Sequence, residues 1–299
     1  MEIGMNVNIF DQFDSGSFNG IQPYDNHIWK NVSPDDADLG IVISATRSFP
    51  RLREGIPRVL LMCESYGVMD LYNGENNKES LREVANMDNG VIDKVYTFDK
   101  DLVKEYPDRC KLISSPTPTW IPNDQRKIHE KTKNISMVSS KKNFCSGHCV
   151  RLNVIDSIQQ NNFPVDLFGR DFDAPLPHKI DGVAPYRFHL VVENEMIAGW
   201  ETEKISDCFM TGTVPLYWGD PSISETYDSR GIINLFDHFG SEDPYEWKLE
   251  DFQSLNQDLY ASMEDAIENN LNIAKEHYES HLTTNIINMI SRDYINGKH

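Results

Sequence analysis

Two groups of residues in this chain have the types and spacing to hold a phosphate. The first lies in Tyr186–Pro221, YRFHLVVENEMIAGWETEKISDCFMTGTVPLYWGDP. A β-rich run from Phe188 to Val192 ends in Glu193-Asn194, and a loop with Gly199 and Trp200 follows. Thr202 then offers an N-cap oxygen to a helix that turns Ile205, Cys208 and Phe209 inward and stops at Gly212. Lys204 sits in the first turn, where a cation opposes the helix dipole and costs a few tenths of a kcal/mol unless an anion shares the site. With the free backbone N–H groups at the same end, Lys204 makes a good phosphate contact. The second group is Lys141-Lys142 in a loop through Gly147, then Arg151 in the first turn of a helix from about His148 to Gln160. Strand, small-residue loop and cationic helix start is the arrangement that binds phosphate at the carboxyl edge of an α/β sheet. It is neither a Walker loop nor a GxGxxG turn.

Other chemistries find less support. Cys145, His148 and Cys149 crowd together without a fourth ligand or a finger spacing, so no metal is expected. The H-E-x-x-H, G-x-S-x-G and Cys-His nucleophile patterns are absent. Among 47 acidic residues no carboxylate pair is singled out for glycoside hydrolysis. Asn31-Val32-Ser33 and Asn134-Ile135-Ser136 fit the glycosylation sequon, but Asn134 abuts a predicted buried strand and the match reads as chance.

The elements that must carry these residues are those of an α/β protein. The 299 residues suit one large or two ordinary domains. Leu39–Ser44, Arg58–Cys63, Lys94–Phe98 and Lys111–Ser114 read as strands, the second a continuous apolar run of the parallel-sheet kind. Asn73–Gly90 is a long polar excursion, a binding loop or surface. Gln125–Asn134 is a basic, polar linker, which divides the chain into domains at 1–130 and 135–299. In the second half Ile135–Ser140, Val165–Gly169, Phe188–Val192, Val214–Trp218 and Ile232–Phe236 are strands. Two helical segments, Leu249–Asn270 and Leu271–Tyr294, close it. Hydrophobic content of 39% and charged content of 25% are those of a soluble globular protein. A net charge of −19 argues against nucleic acid and anionic membrane surfaces as partners, and makes each local cationic group informative. Five cysteines without a framework spacing point to a reducing compartment. No apolar run reaches the ~20 residues of a membrane span, and the acidic N-terminus lacks a signal-peptide pattern. The expected location is cytoplasmic, with peripheral membrane association left open.

The ordered elements Tyr186-Arg187-Phe188, Glu193-Asn194, Thr202-Glu203-Lys204 and Gly212-Thr213-Val214-Pro215 to Gly219 resemble the signature of the α-1,3-fucosyltransferases, glycosyltransferase family 10. Ile135–Arg151 and Val165–Gly169 look like the preceding part of that family's donor domain. Asp38–Ser44, Arg58–Glu64 and Val95–Asp99 look like its more divergent acceptor half. The resemblance implies the GT-B fold, two Rossmann-like domains facing across a cleft, in a soluble bacterial or viral type of the family. It implies transfer of L-fucose, with inversion, from GDP-fucose to a hydroxyl of an acceptor glycan, with no cofactor and no required metal. It also implies that Arg151, Asn194, Trp200, Glu203 and Lys204 bind the donor, with Ser140, Lys142 and Glu193 as further donor contacts. Glu203 would accept from the ribose hydroxyls, and Trp200 would pack near the guanosine or the sugar. Glu64, following the strand RVLLMC, would be the catalytic base. Val192 stands where the family usually has an aromatic residue, and Trp200 where it usually has Tyr. The alternatives are transfer from another GDP- or UDP-sugar, or a nucleotide- or carbohydrate-binding protein without turnover.

Overall fold

The apolar runs form two all-parallel sheets. The computed structural model describes residues 5–11, 29–43, 51–73, 92–114, 118–278 and 283–297. The chain divides into one unit of Met1–Pro116 with Ser280–His299 and a second of Thr117–Glu279.

In the first unit the described strands are β1 (Met5–Asp11), β2 (Trp29–Asn31), β3 (Leu39–Ile43), β4 (Arg58–Leu61), β5 (Lys94–Thr97) and β6 (Cys110–Leu112). They pair in the order β2-β1-β3-β4-β5-β6. All five residues of β3 are buried, as its unbroken LGIVI predicts for a strand covered on both faces. Strands β1 and β2 go beyond the sequence reading. β1 interleaves Asn6 and Asn8 with Val7 and Ile9, and asparagine is depleted in strands. Here the asparagines serve the sheet. Asn8 Nδ2 donates to the Val32 carbonyl at 2.9 Å, and Ile9 N donates to Asn31 Oδ1 at 3.2 Å. The Asn73–Gly90 excursion falls almost entirely outside the described residues.

The helix Thr283–Ile295 belongs to this first unit. Its Ile286, Ile287, Ile290 and Tyr294 share a core with Val7, Leu39, Ile41, Val59 and Tyr96. Asp293 on the same helix accepts from Lys111 Nζ at 2.5 Å and from Tyr96 Oη at 3.1 Å. The division expected at 130/135 therefore shifts. The C-terminal helix returns to the first unit, and Thr119, Trp120 and Ile121 are held by the second, as described below.

The second unit contains β7 (Lys133–Val138), β8 (Asp166–Phe168), β9 (Tyr186–Val192), β10 (Val214–Trp218) and β11 (Ile233–Asn234), paired in the order β11-β10-β9-β7-β8. The chain runs from β7 outward to β8, then returns past β7 to lay β9, β10 and β11 on the other side. The strand order thus reverses between β7 and β9. The connections leaving their carboxyl ends part there and leave a crevice. Residues after the last strand break into shorter helices than the apolar spacing predicts. Asn256 accepts from Asp258 N and Leu259 N, each at 3.0 Å, and so starts a new helix inside the expected one. Asn234 likewise caps Leu235–Phe239, which cuts β11 short. Among the described residues no helix is long and apolar enough to cross a membrane.

Candidate active site

The helix Ser146–Asn161 follows β7, and the helix Glu203–Thr211 follows β9 through the loop Glu193–Thr202. Both begin at the crevice. The first must come close to that loop, and Gly147 permits it. Its N–H donates to the Asn194 carbonyl at 2.8 Å. A Cβ at this position would lie 1.9 Å from the Glu193 carbonyl oxygen and 2.6 Å from that of Asn194. Both are backbone atoms and neither can swing away. Gly147→Ala should therefore cost about 1–3 kcal/mol of stability, as overpacking does, measured as a lowered urea midpoint. An unchanged midpoint would show that the loop has room to move.

The second helix is capped as its sequence predicts. Thr202 Oγ1 accepts from Lys204 N at 3.3 Å, and Gly212 takes the left-handed C-cap at φ +68°. Beneath the N-terminus lies Glu193, with no exposed surface. Its carboxylate accepts from Thr202 N at 3.1 Å, from Thr202 Oγ1 at 2.7 and 2.9 Å, and from Lys204 Nζ at 3.1 Å. Lys204 Nζ also lies 3.7 Å from Glu203 Oε1. Burial works against the charge on Lys204, but Glu193 and Glu203 more than offset it and hold the ammonium above its ordinary value. Burial would likewise raise Glu203, yet Lys204 and Lys179 reverse this and hold its carboxyl below the usual range.

Arg151 is 7% exposed. Its Nη2 donates to Asn194 Oδ1 at 3.1 Å, so Asn194 orients the guanidinium. Burial works against its charge, and Glu193 and Glu203 offset this only in part, so the guanidinium stays below its ordinary value, which suits the approach of an anion. Around these groups opens a cavity of about 550 Å³. Ser140, Arg151, Glu203 and Lys204 line it, together with His189 from β9 and Arg170, His178, Lys179 and Trp120.

Not every expected contact is met. Trp200, expected to pack against a ligand, is 1% exposed and does not line the cavity; its bulk is spent inside the protein. Glu193 lies beneath Lys204 rather than on the wall. Lys142 is exposed, its ammonium 6.0 Å from the Phe144 ring centroid, and is not a lining residue. Glu64 belongs to the first unit, between β4 and the helix Tyr66–Asn73, and is half-buried.

The structure also adds residues. Lys179 Nζ lies 2.6 Å from Asp207 Oδ2 and 3.9 Å from Glu203 Oε1. Burial opposes its charge, and Asp207 and Glu203 override this to raise the ammonium. Asp207 in turn accepts from Thr119 Oγ1 at 2.5 Å and from Trp120 N at 2.8 Å. Asp207 was within reach of sequence reasoning, since it falls four residues after Glu203 on one helix face. Lys179 carries no such local signal.

Two histidines bordering the site are held neutral. Burial, then Arg151, Lys142 and Lys204, push His148 down to about 4. Burial and Lys179 push His189 down to about 3. Both folded values lie below the ordinary 6.5, so the unfolded chain binds protons first as pH falls. Stability present above pH 6.5 is then lost progressively on acidification, about 2 kcal/mol per histidine between pH 6.5 and 5. Melting curves across that window should show the fall, and His148→Gln should remove its share. A flat profile from pH 7 to 5 would contradict neutral burial.

Residues 128–264, which carry most of this site, match the family model Glycosyltransferase family 10 (fucosyltransferase) C-term. An alpha-(1,3)-fucosyltransferase FucT of Helicobacter pylori is 35% identical over 60 residues, 20% of this chain and 13% of that protein. A fucosyltransferase-like protein of Arabidopsis thaliana is 29% identical over 84 residues, 27% of this chain and 16% of that protein. The aligned stretches thus span a small part of these curated relatives. A crystal structure of an α1,3-fucosyltransferase with GDP-fucose superposes with a TM-score of 0.55 at 15% identity, covering 90% of this chain and 83% of the other. A crystal structure of TarM does so at 0.52 and 13% identity, covering 89% and 56%. At these identities the likeness is one of fold, that of two Rossmann-like units of the GT-B class.

Proposed function

With residues 128–264 belonging to glycosyltransferase family 10, the fucosyltransferase family, we propose that the chain transfers L-fucose from GDP-fucose to a hydroxyl of an acceptor glycan. The observation that carries this reading is the convergence of Arg151 and Lys204 on one cavity at the point where the strand order reverses. They come from the connections that follow the neighbouring strands β7 and β9, and the second is the stretch that bears the family signature.

In this reading the reaction is one displacement with inversion. The acceptor oxygen attacks the anomeric carbon as the bond to the β-phosphate breaks, and a carboxylate takes the acceptor proton. Negative charge grows on the leaving diphosphate. Arg151 and Lys204 stand where they stabilise it, more in the transition state than in the ground state. No metal is required for that role, so chelator should leave the rate unchanged.

The test is thermal stabilisation by GDP-fucose, GDP-mannose, UDP-sugars and ADP at equal concentration, since stabilisation grows as ln(1 + [L]/Kd). Transfer to an oligosaccharide panel, read by mass, then follows. Selective stabilisation by GDP-fucose with a fucosylated product is the expected result. A larger shift with a UDP-sugar would move the chemistry to another donor. A shift with GDP-fucose and no product on any acceptor would favour a binding protein.

A further inference from the structure

Trp120 is 70% exposed, yet the chain that carries it is firmly held. Thr119 Oγ1 and Trp120 N both donate to the buried Asp207, and the next residue, Ile121, is 1% exposed within the second unit's core. The backbone is therefore anchored on both sides while the indole projects at the wall of the cavity. An indole left in water forgoes stabilisation that burial would provide. Its one described ring partner is Lys179, whose ammonium lies 5.4 Å from the centroid and occupies one face.

The order of groups along this wall carries the inference. Lys204 Nζ lies 3.7 Å from Glu203 Oε1, Glu203 Oε1 lies 3.9 Å from Lys179 Nζ, and Lys179 leads to the indole. Read as chemistry, the series is cation, carboxylate and aromatic plane, with Lys179, paired with Asp207, seated between the last two. A nucleoside diphosphate presents the matching series of phosphate, ribose diol and base. A carboxylate held ionised accepts from hydroxyls, and a ring with one free face stacks a planar base. We propose that Trp120 is the stacking platform for the nucleotide's base, with Lys179 fixing the ring from the opposite face. The proposal rests on the nucleotide-sugar reading above and adds the residue that grips the base.

Stacking of a base on an aromatic residue is worth about 1–3 kcal/mol by alanine substitution, roughly a 5- to 160-fold change in affinity. Calorimetric titration of GDP, UDP and inorganic pyrophosphate into wild-type protein, Trp120→Ala and Trp120→Phe separates the outcomes. The expected result is a loss of that size for GDP in Trp120→Ala, recovery to within about threefold in Trp120→Phe, and one pyrophosphate affinity throughout. Equal GDP affinity in wild type and Trp120→Ala would overturn the proposal. So would a parallel loss for pyrophosphate, which would make the indole a structural prop. Trp120-dependent binding of UDP with none of GDP would uphold the platform and sink the GDP-fucose reading. Pyrophosphate binding with no nucleotide binding would sink both.

Discussion

Glu64→Gln should bind GDP-fucose as the wild type does and transfer fucose ~10²–10⁴-fold more slowly. A single displacement needs one carboxylate to accept the acceptor's proton while the donor bond breaks. Parallel sheets present such groups in the connections beyond their carboxyl ends. Glu64 stands there in the first unit, after β4 and before the helix Tyr66–Asn73. It is half-buried, while Met62, Ser65 and Tyr66 around it are buried, so the carboxylate is partly shielded from water. The glutamine keeps shape and polarity and removes only the ability to accept a proton. Melting temperature and donor affinity should therefore hold while the rate falls. A Glu64→Gln protein that turns over at the wild-type rate would remove Glu64 from the mechanism. Glu193 would not inherit the role, because it is fully buried and engaged by Thr202 and Lys204.

Much of this architecture is legible in the sequence because parallel strands buried on both faces must be apolar throughout. LGIVI, RVLL and VPLYW fall in the expected places. Strand β1 is not legible, because its contacts, Asn8 to the Val32 carbonyl and the Ile9 N–H to Asn31, depend on where β2 packs. The partner of the last helix is hidden for a related reason. The apolar face of Thr283–Ile295 announces burial but not which sheet it will cover. The same division runs through the site. Thr202, Lys204 and Arg151 are local to strand–loop–helix connections and can be read from them. The Lys179–Asp207 pair and the anchored Trp120 arise only when separate segments meet. Trp200 shows the reverse ambiguity. An aromatic in a polar loop reads equally well as a ligand contact or as the loop's own filling, and its side chain is buried at 1% exposure.

Lys204→Ala should do two separable things. The first is thermodynamic. Glu193 has no exposed surface, and Lys204 is the cation that faces it at 3.1 Å. Removing one member of a buried pair strands the other, which costs about 3–5 kcal/mol. Thr202 still donates to the carboxylate, so the lower end of that range is expected. The second effect is catalytic. Loss of one group that stabilises charge on the departing diphosphate should lower kcat/KM by about 2–4 kcal/mol, roughly 30- to 900-fold. The double variant Glu193→Gln, Lys204→Met tells the two apart. Replacing both partners removes the stranded charge and keeps the aliphatic stem of the lysine, so stability should return toward wild type. Transfer should stay low, because no cation has been restored to the cavity. Arg151→Ala is the complementary probe. Its guanidinium meets Asn194 and forms no ion pair among the described residues, so it should lose a similar factor in kcat/KM with little loss of stability. Urea denaturation and steady-state kinetics on the four proteins settle the matter. If the double variant recovers turnover together with stability, Lys204 serves the fold rather than the reaction. If Lys204→Ala unfolds at the wild-type midpoint, the pair with Glu193 does not hold the helix start in place.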